Sequence, residues 1–115
     1  MSEPLPILVL VSDMIFASKI SAEARAQGST FKMLNRPEKL PGQIGRALIV
    51  DLNLPGATAA AAAWAKASGR LVTGFVSHVD AAAIAEAREL GIENILARSR
   101  FVQVLGELVK PEAAG

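Results

Sequence analysis

Five short, mostly apolar runs alternate along this chain with longer segments in which apolar residues recur at helical spacing. The runs are residues 7–11, 29–34, 48–50, 71–76 and 94–97. Short apolar runs that end in polar or turn-forming residues are typical of strands buried on both faces of a sheet. The pattern therefore predicts five strands.

The segments between these runs predict amphipathic helices. They cover residues 16–27, 57–68 and 81–90, with a last helix through Phe101, Val104, Leu105 and Leu108. In the first of them, Ala17, Ile20 and Ala24 share one face, and Gly28 stands where a helix is expected to stop. The helix at 57–68 is almost pure alanine, and its Trp64 is expected to be a partly exposed packing residue.

The connection at residues 35–45 differs from the other connections because it contains Pro37, Pro41, Gly42 and Gly45. Any helix there must be short or broken, since proline and glycine interrupt helices. Strands that otherwise alternate with helices predict a parallel sheet, because parallel strands need crossover connections of about a dozen residues. The fold class is therefore α/β, a doubly wound three-layer sandwich.

Length and composition limit the function classes that fit the chain. Its 115 residues predict a single domain, with a core over about 7–109 and a frayed tail at 110–115. A formal charge of +1 gives no basic field for nucleic acid. The absence of cysteine excludes disulfides and thiol catalysis. The apolar runs are too short to span a membrane, so a cytoplasmic protein without nucleic-acid or membrane partners is expected.

Polar residues follow the predicted strands where they end. They are Ser12, Asp13, Asp51, Ser77, His78, Arg98 and Ser99. Because parallel strands point the same way, their carboxyl ends meet at one edge of the sheet, where open α/β sheets bind ligands. Carboxylates suit a hard divalent ion, hydroxyl and guanidinium groups suit phosphate, and an aspartate can accept a phosphoryl group.

These features together resemble the receiver domain of bacterial response regulators, of the chemotaxis-regulator type, over residues 7–108. The resemblance is carried by the order of elements, the Ser12-Asp13 strand end, the Asp51-Leu-Asn-Leu-Pro-Gly loop, Ser77 after the fourth strand, and Gly91. The loop is the most specific of these motifs. The resemblance implies a flavodoxin-like sheet with strand order 2-1-3-4-5.

The resemblance also implies roles for individual residues. Asp51 would accept a phosphoryl group from a sensor kinase. Asp13, Asp51 and the backbone carbonyl of Asn53 would bind Mg2+, and Ser77 would be the hydroxyl that turns toward the acyl phosphate. Ser12 and His78 are auxiliary candidates at the same edge. Signals would pass to a downstream target through the face around the last two helices.

Three departures from the receiver pattern qualify these roles. Ser12 stands where receivers usually have a first acid, which predicts weak Mg2+ binding. The usual lysine and proline after the fifth strand are missing, and Arg98 or Ser99 takes the lysine position as anion-binding residue, depending on where the count begins. The switch aromatic of that strand is replaced by Ile95 or Leu96.

Ordinary structural roles remain open for the same residues. Asp51 can cap the turn that follows it, and Asp13 can cap the first helix. Ser77 fits a turn hydroxyl, and His78 fits structural hydrogen bonding, because it lacks the partners of a metal site or catalytic triad. Arg98 and its neighbours also fit ordinary surface charges.

Two functional classes follow. The first is a stand-alone atypical receiver or pseudo-receiver that acts through protein contacts, with phosphoryl acceptance at Asp51 as its only chemistry and therefore no enzymatic turnover. The alternative is a small ligand- or nucleotide-binding protein of the same fold, although no glycine-rich phosphate loop follows the first strand. The alanine-rich helix at 57–68 suits a core or a contact surface, so a homodimer is compatible with the sequence.

Overall fold

The structure, a computed structural model, describes residues 5–76 and 80–111. Within these residues five parallel strands form a sheet in the order β2-β1-β3-β4-β5. The strands are β1 (Ile7–Leu10), β2 (Phe31–Leu34), β3 (Ala47–Asp51), β4 (Leu71–Val76) and β5 (Asn94–Ala97). The predicted fold class and strand order are both confirmed.

Four α-helices lie between or after the strands in the described part of the chain. They are α1 (Met14–Ala26), α2 (Ala57–Ser68), α3 (Ala81–Glu89) and α4 (Arg98–Leu108). The connection between β2 and β3 contains only a short 3-10 turn at Pro37–Lys39, as its prolines and glycines predict. In the described ranges, no helix is both long and apolar enough to cross a bilayer.

Two hydrophobic layers pack on opposite faces of the sheet, because successive strand side chains point to opposite sides. Leu8 and Leu10 of β1 belong to the layer that contains Trp64 of α2 and Ala87 of α3. Ile7 and Val9 belong to the other layer, which is built with Phe16, Ile20 and Ala24 of α1 and with Phe101 and Leu105 of α4. Each face therefore carries two helices, which makes the predicted three-layer sandwich.

Trp64 corrects one expectation from the sequence. Its side chain is only 5% exposed, so it is a core residue rather than a partly exposed one. The indole Nε1 donates a hydrogen bond of 2.9 Å to the carbonyl of Gln43. Burial is tolerated because this bond satisfies the polar end of the ring, and the bond also holds the β2–β3 connection against α2.

The start of α4 also differs from the expected helix through Phe101. Ala97, the last residue of β5, is already the N-cap residue of α4, so Arg98 is the first residue inside the helix. Ser99 and Arg100 follow in the same first turn rather than in a loop. Val109 and Lys110 are held at the other end, where Ser29 Oγ and Arg46 Nη2 donate to their carbonyls.

Candidate functional site

Asp51 is the last residue of β3 and lies at the carboxyl edge of the sheet, partly buried. Its strand is paired with β1 on one side and with β4 on the other. Asp51 Oδ1 accepts a hydrogen bond of 2.9 Å from the backbone amide of Asn53. The aspartate thus both ends a central strand and shapes the turn after it, so one of its predicted structural roles is present.

The backbone after Asp51 follows a path fixed by hydrogen bonds and close packing. The amide of Leu52 donates to the carbonyl of Phe75 at 2.9 Å, and the amide of Leu54 donates to that of Asp51 at 3.2 Å. A Cβ on Gly74 would lie 2.6 Å from Cδ1 of Leu52, so this side chain packs directly on the β4 backbone. Gly56 then has a φ of 81°, which suits glycine.

Asp13 occupies the N-cap position of α1, with an extended backbone. Its Oδ1 accepts hydrogen bonds from the amides of Ile15 at 2.9 Å and Phe16 at 3.2 Å. Such a cap typically stabilises a helix by about 1 kcal/mol, because it satisfies amides that have no partner inside the helix. The capping role that the sequence left open for Asp13 is therefore present, and it orients the carboxylate.

The guanidinium of Arg98 lies beside the Asp13 carboxylate, although the two residues are far apart in the sequence. Nη2 of Arg98 lies 4.0 Å from Oδ2 of Asp13, and the two side chains are 40% and 48% exposed. Its Cζ lies 4.2 Å from the centroid of the Phe16 ring. An exposed ion pair contributes roughly 0.2–1 kcal/mol and an exposed cation–π contact about 0.5–1 kcal/mol, so the ring positions the guanidinium at least as strongly as the charge.

Three phenylalanines form the support under Arg98. The ring centroids are 4.9 Å apart for Phe16 and Phe75, 4.5 Å for Phe75 and Phe101, and 5.6 Å for Phe16 and Phe101. All three side chains are buried. Because they belong to α1, β4 and α4, the cluster fixes the starts of both helices relative to the sheet.

The other predicted site residues have separate positions. Ser99 is exposed in the first turn of α4, where Arg100 Nη1 donates to Gln103 Oε1 at 3.3 Å. Ser12 is exposed and lines an open groove of about 560 Å³ between α1 and the end of β2, with Met33 and Lys39 among its other residues. Ser77 and His78 lie outside the described residues.

The described donors do not form a complete Mg2+ site. Residues 5–76 and 80–111 contain no group of three or more acidic or histidine side chains placed to hold a metal ion. Oδ1 of Asp13 accepts from two amides, Oδ2 faces the Arg98 guanidinium at 4.0 Å, and Ser12 supplies no charge. Mg2+ prefers an octahedral shell of oxygen ligands at about 2.0–2.1 Å. A Mg2+ ion at Oδ2 of Asp13 would lie next to the guanidinium of Arg98.

Comparison with solved structures places this architecture among receiver domains. A receiver domain protein from Methanospirillum hungatei JF-1 superposes with a TM-score of 0.75 and 11% identity, covering 93% of this chain and 94% of that one. The chain has the receiver-domain fold. A putative response regulator from Chloroflexus aurantiacus J-10-fl gives a TM-score of 0.75, 20% identity, and coverage of 93% and 95%.

A third structure with the receiver fold is a response regulator protein from Burkholderia pseudomallei that contains a phosphorylated aspartic acid, a calcium ion and citrate. Its TM-score is 0.73 at 16% identity, with 95% of this chain and 67% of that chain covered. The sequence itself matches no family model and no curated protein. At identities of 20% or below, these likenesses establish the fold.

Sequence reasoning missed two features of this edge. Met14 and Ile15, in the first turn of α1, are 81% and 83% exposed and place a large apolar surface next to Asp13. The contact of the Arg98 guanidinium with the Phe16 ring was also missed. Helical periodicity marks Phe16 as a core residue, and nothing in the pattern shows that one face of its ring is left for a cation from α4.

Proposed function

We propose that this chain is an atypical receiver module of a two-component or phosphorelay pathway, which accepts a phosphoryl group at Asp51 and signals through contacts with other proteins. The observation that carries the proposal is the Asp51 turn: a partly buried aspartate ends the central β3 strand in a receiver fold and opens an Asp-Leu-Asn-Leu-Pro-Gly loop. A capping role alone does not require the whole loop.

The chemistry of this proposal is a single phosphoryl transfer. An oxygen of the Asp51 carboxylate attacks phosphorus, the bond from phosphorus to the donor's leaving group breaks (P–N in a phosphohistidine, P–O in acetyl phosphate), and the leaving group departs with the electron pair. Bound phosphoryl adds negative charge at an edge where Arg98 supplies a positive one and where α4 begins without a side-chain cap. Both features favour an anion.

Two solved neighbours are relevant to this chemistry. The Burkholderia pseudomallei protein carries a phosphorylated aspartic acid with a calcium ion, and another receiver domain of similar fold was activated with BeF3. For this chain we propose weak Mg2+ binding at most. The reasons are the neutral Ser12 and the Arg98 guanidinium beside Oδ2 of Asp13.

Signalling by protein contact is supported by the exposed apolar pair next to the site. Met14 and Ile15 stand in the first turn of α1, whose N-cap residue Asp13 belongs to the candidate site. Large exposed apolar side chains beside a functional edge are typical of contact surfaces. A sensor kinase or a downstream target is the class of partner that fits a receiver module.

The test is incubation of the protein with acetyl phosphate, with and without millimolar Mg2+, followed by intact-mass spectrometry. We expect an increase of one phosphoryl group in the wild type and none in Asp51→Asn. Asp80→Asn is the matched control, because Asp80 caps α3 by accepting from the Ala83 amide and asparagine caps equally well. This control should be phosphorylated like the wild type.

The contrary result separates two kinds of receiver. If no adduct forms under either condition, and amide spectra of wild type and Asp51→Asn respond identically to beryllofluoride, phosphoryl acceptance is wrong. The chain would then be a pseudo-receiver that binds partners without a phosphorylation step. A partner captured equally by both proteins would support that second interpretation.

A further inference from the structure

We propose that Arg98 is the resident cation of the candidate site: its guanidinium, seated on the Phe16 ring, faces Asp13 and keeps a divalent cation off that carboxylate. The inference deepens the proposed function and rests on it for the meaning of the site, while its test does not depend on phosphorylation. It adds a second reason, beside the neutral Ser12, for the weak Mg2+ binding proposed above.

The first step is the orientation of Asp13. Oδ1 is held by the amides of Ile15 and Phe16, so the carboxylate cannot turn freely without releasing the start of α1. Its other oxygen, Oδ2, is therefore the one available to a cation. That oxygen faces Nη2 of Arg98 at 4.0 Å.

The second step is the position of Arg98. The residue follows β5 without an intervening loop and is the first residue inside α4, so its Cα is fixed by a strand end and a helix start together. Its side chain crosses the Phe16 ring with Cζ 4.2 Å from the centroid. Phe16 is buried and packed on two further rings, so the platform is rigid.

The third step is the balance of charge. Within the described residues, Asp13 and Asp51 supply two carboxylates to this edge and Ser12 supplies none, while the Arg98 cation lies 4.0 Å from the carboxylate of Asp13. Its neighbour Arg100 is directed to Gln103 instead. A divalent ion approaching Oδ2 of Asp13 meets the guanidinium as a like charge, whereas a phosphate-like anion meets a cation that the chain itself provides.

The experiment is a Mg2+ titration of 15N-labelled protein, followed through the backbone amides of Ile15 and Phe16, which donate to Asp13. The wild type should respond only at high millimolar Mg2+. Arg98→Gln should bind Mg2+ more tightly, on the order of tenfold, because a unit charge about 5 Å from a divalent ion is removed. Arg100→Gln, the matched control in the same helical turn, should behave like the wild type.

Two further variants complete the design. Arg98→Met keeps a shorter, unbranched side chain that can still pack on Phe16 but has no charge, and it should also gain Mg2+ affinity. Adding Asp13→Asn to Arg98→Gln should abolish the gain. The proposal is overturned if the wild type binds Mg2+ as tightly as the Arg98 variants, or if the gain survives in the double variant. Neither outcome depends on whether acetyl phosphate modifies Asp51.

Discussion

The ends of β3 and β5 meet the same edge of the sheet but are constructed differently. After β3, the described contacts join the turn to itself and to β4, through the Asp51 carboxylate on the Asn53 amide, the Leu52 amide on the Phe75 carbonyl and the packing of Leu52 on Gly74. After β5, the chain enters α4 at once, and the important contact is made by a side chain, Arg98 on Phe16. The Asp51 turn can be recognised from its own sequence. The position of the Arg98 side chain cannot, because it depends on a ring that belongs to α1.

The two ends also differ in how closely their residues match the receiver pattern. The Asp51 loop has glycine where its turn needs a positive φ, since Gly56 has a φ of 81° that few other residues adopt. At the β5 end, the Arg98 guanidinium lies 4.0 Å from Asp13 and its Cζ lies 4.2 Å from the centroid of the Phe16 ring. Arginine suits this arrangement better than lysine, because its planar guanidinium stacks on aromatic faces and the ammonium group of lysine does not.

The largest expected effect is on the β5 side, at Phe101. Phe101→Ala should destabilise the fold by about 3–5 kcal/mol, because it removes a buried ring from the three-ring cluster and leaves a cavity. Urea denaturation measures the loss. The exposed Gln103, two residues away on α4, provides the control Gln103→Ala, which should change stability by less than about 0.5 kcal/mol. Similar stability for the two variants would show that the rings do not anchor α4.

The next effect is expected on the β3 side, at Gly74. Gly74→Ala should cost roughly 1–3 kcal/mol, because the new Cβ would lie 2.6 Å from Leu52 Cδ1 and the Asp51 loop must shift. Amide spectra should show changes at Leu52 and Asn53. Gly106→Ala is the control. It lies within α4, where a Cβ would meet only the ends of Glu23 and Gln27, and alanine favours a helix. An unchanged melting temperature in Gly74→Ala would refute the close packing.

Asp13 caps α1 and also pairs with Arg98, and these two roles can be tested separately. Asp13→Ala should lower the free energy of unfolding by about 1 kcal/mol through loss of the α1 cap, while Asp13→Asn should stay close to the wild type because asparagine caps as well. Thermal denaturation of the pair measures this. Equal losses in both variants would mean that the charge, rather than the cap, stabilises α1.

The smallest expected effect on stability is at Arg98. Arg98→Gln should change the free energy of unfolding by less than about 1 kcal/mol, because the ion pair and the ring contact are both half-exposed. Urea midpoints compared at low and high salt would measure it, and the small difference should shrink as salt screens the pair. A loss comparable with that of Phe101→Ala would make Arg98 a structural anchor rather than a charge held at the site.

Much of the fold follows from the sequence. Apolar runs bounded by turn residues predict the five strands, and the prolines at 37 and 41 predict the interrupted connection before β3, which holds only Pro37–Lys39 as a 3-10 turn. These features depend on local periodicity and backbone preference. The burial of Trp64 depends instead on a carbonyl of Gln43, 21 positions away, and composition alone gives no sign of it.

In the candidate site too, some features follow from local sequence and others depend on contacts between distant residues. The positions of Asp51 and Asp13 at the carboxyl edge follow from their strands, and both capping interactions were among the predicted alternatives. The approach of Arg98 to Asp13 was not foreseen, because it requires α4 to begin immediately after β5 and the Phe16 ring to present a face. The phosphoryl and metal roles of these residues stay predictions.

The buried indole of Trp64 has an optical consequence. It is the only tryptophan of the chain and the protein has no tyrosine, so almost all near-ultraviolet fluorescence arises from one ring bonded to the Gln43 carbonyl. Seven residues of helix, about 10 Å of rise, separate it from the start of α2 beside the Asp51 loop. Emission therefore reports unfolding and the β2–β3 connection.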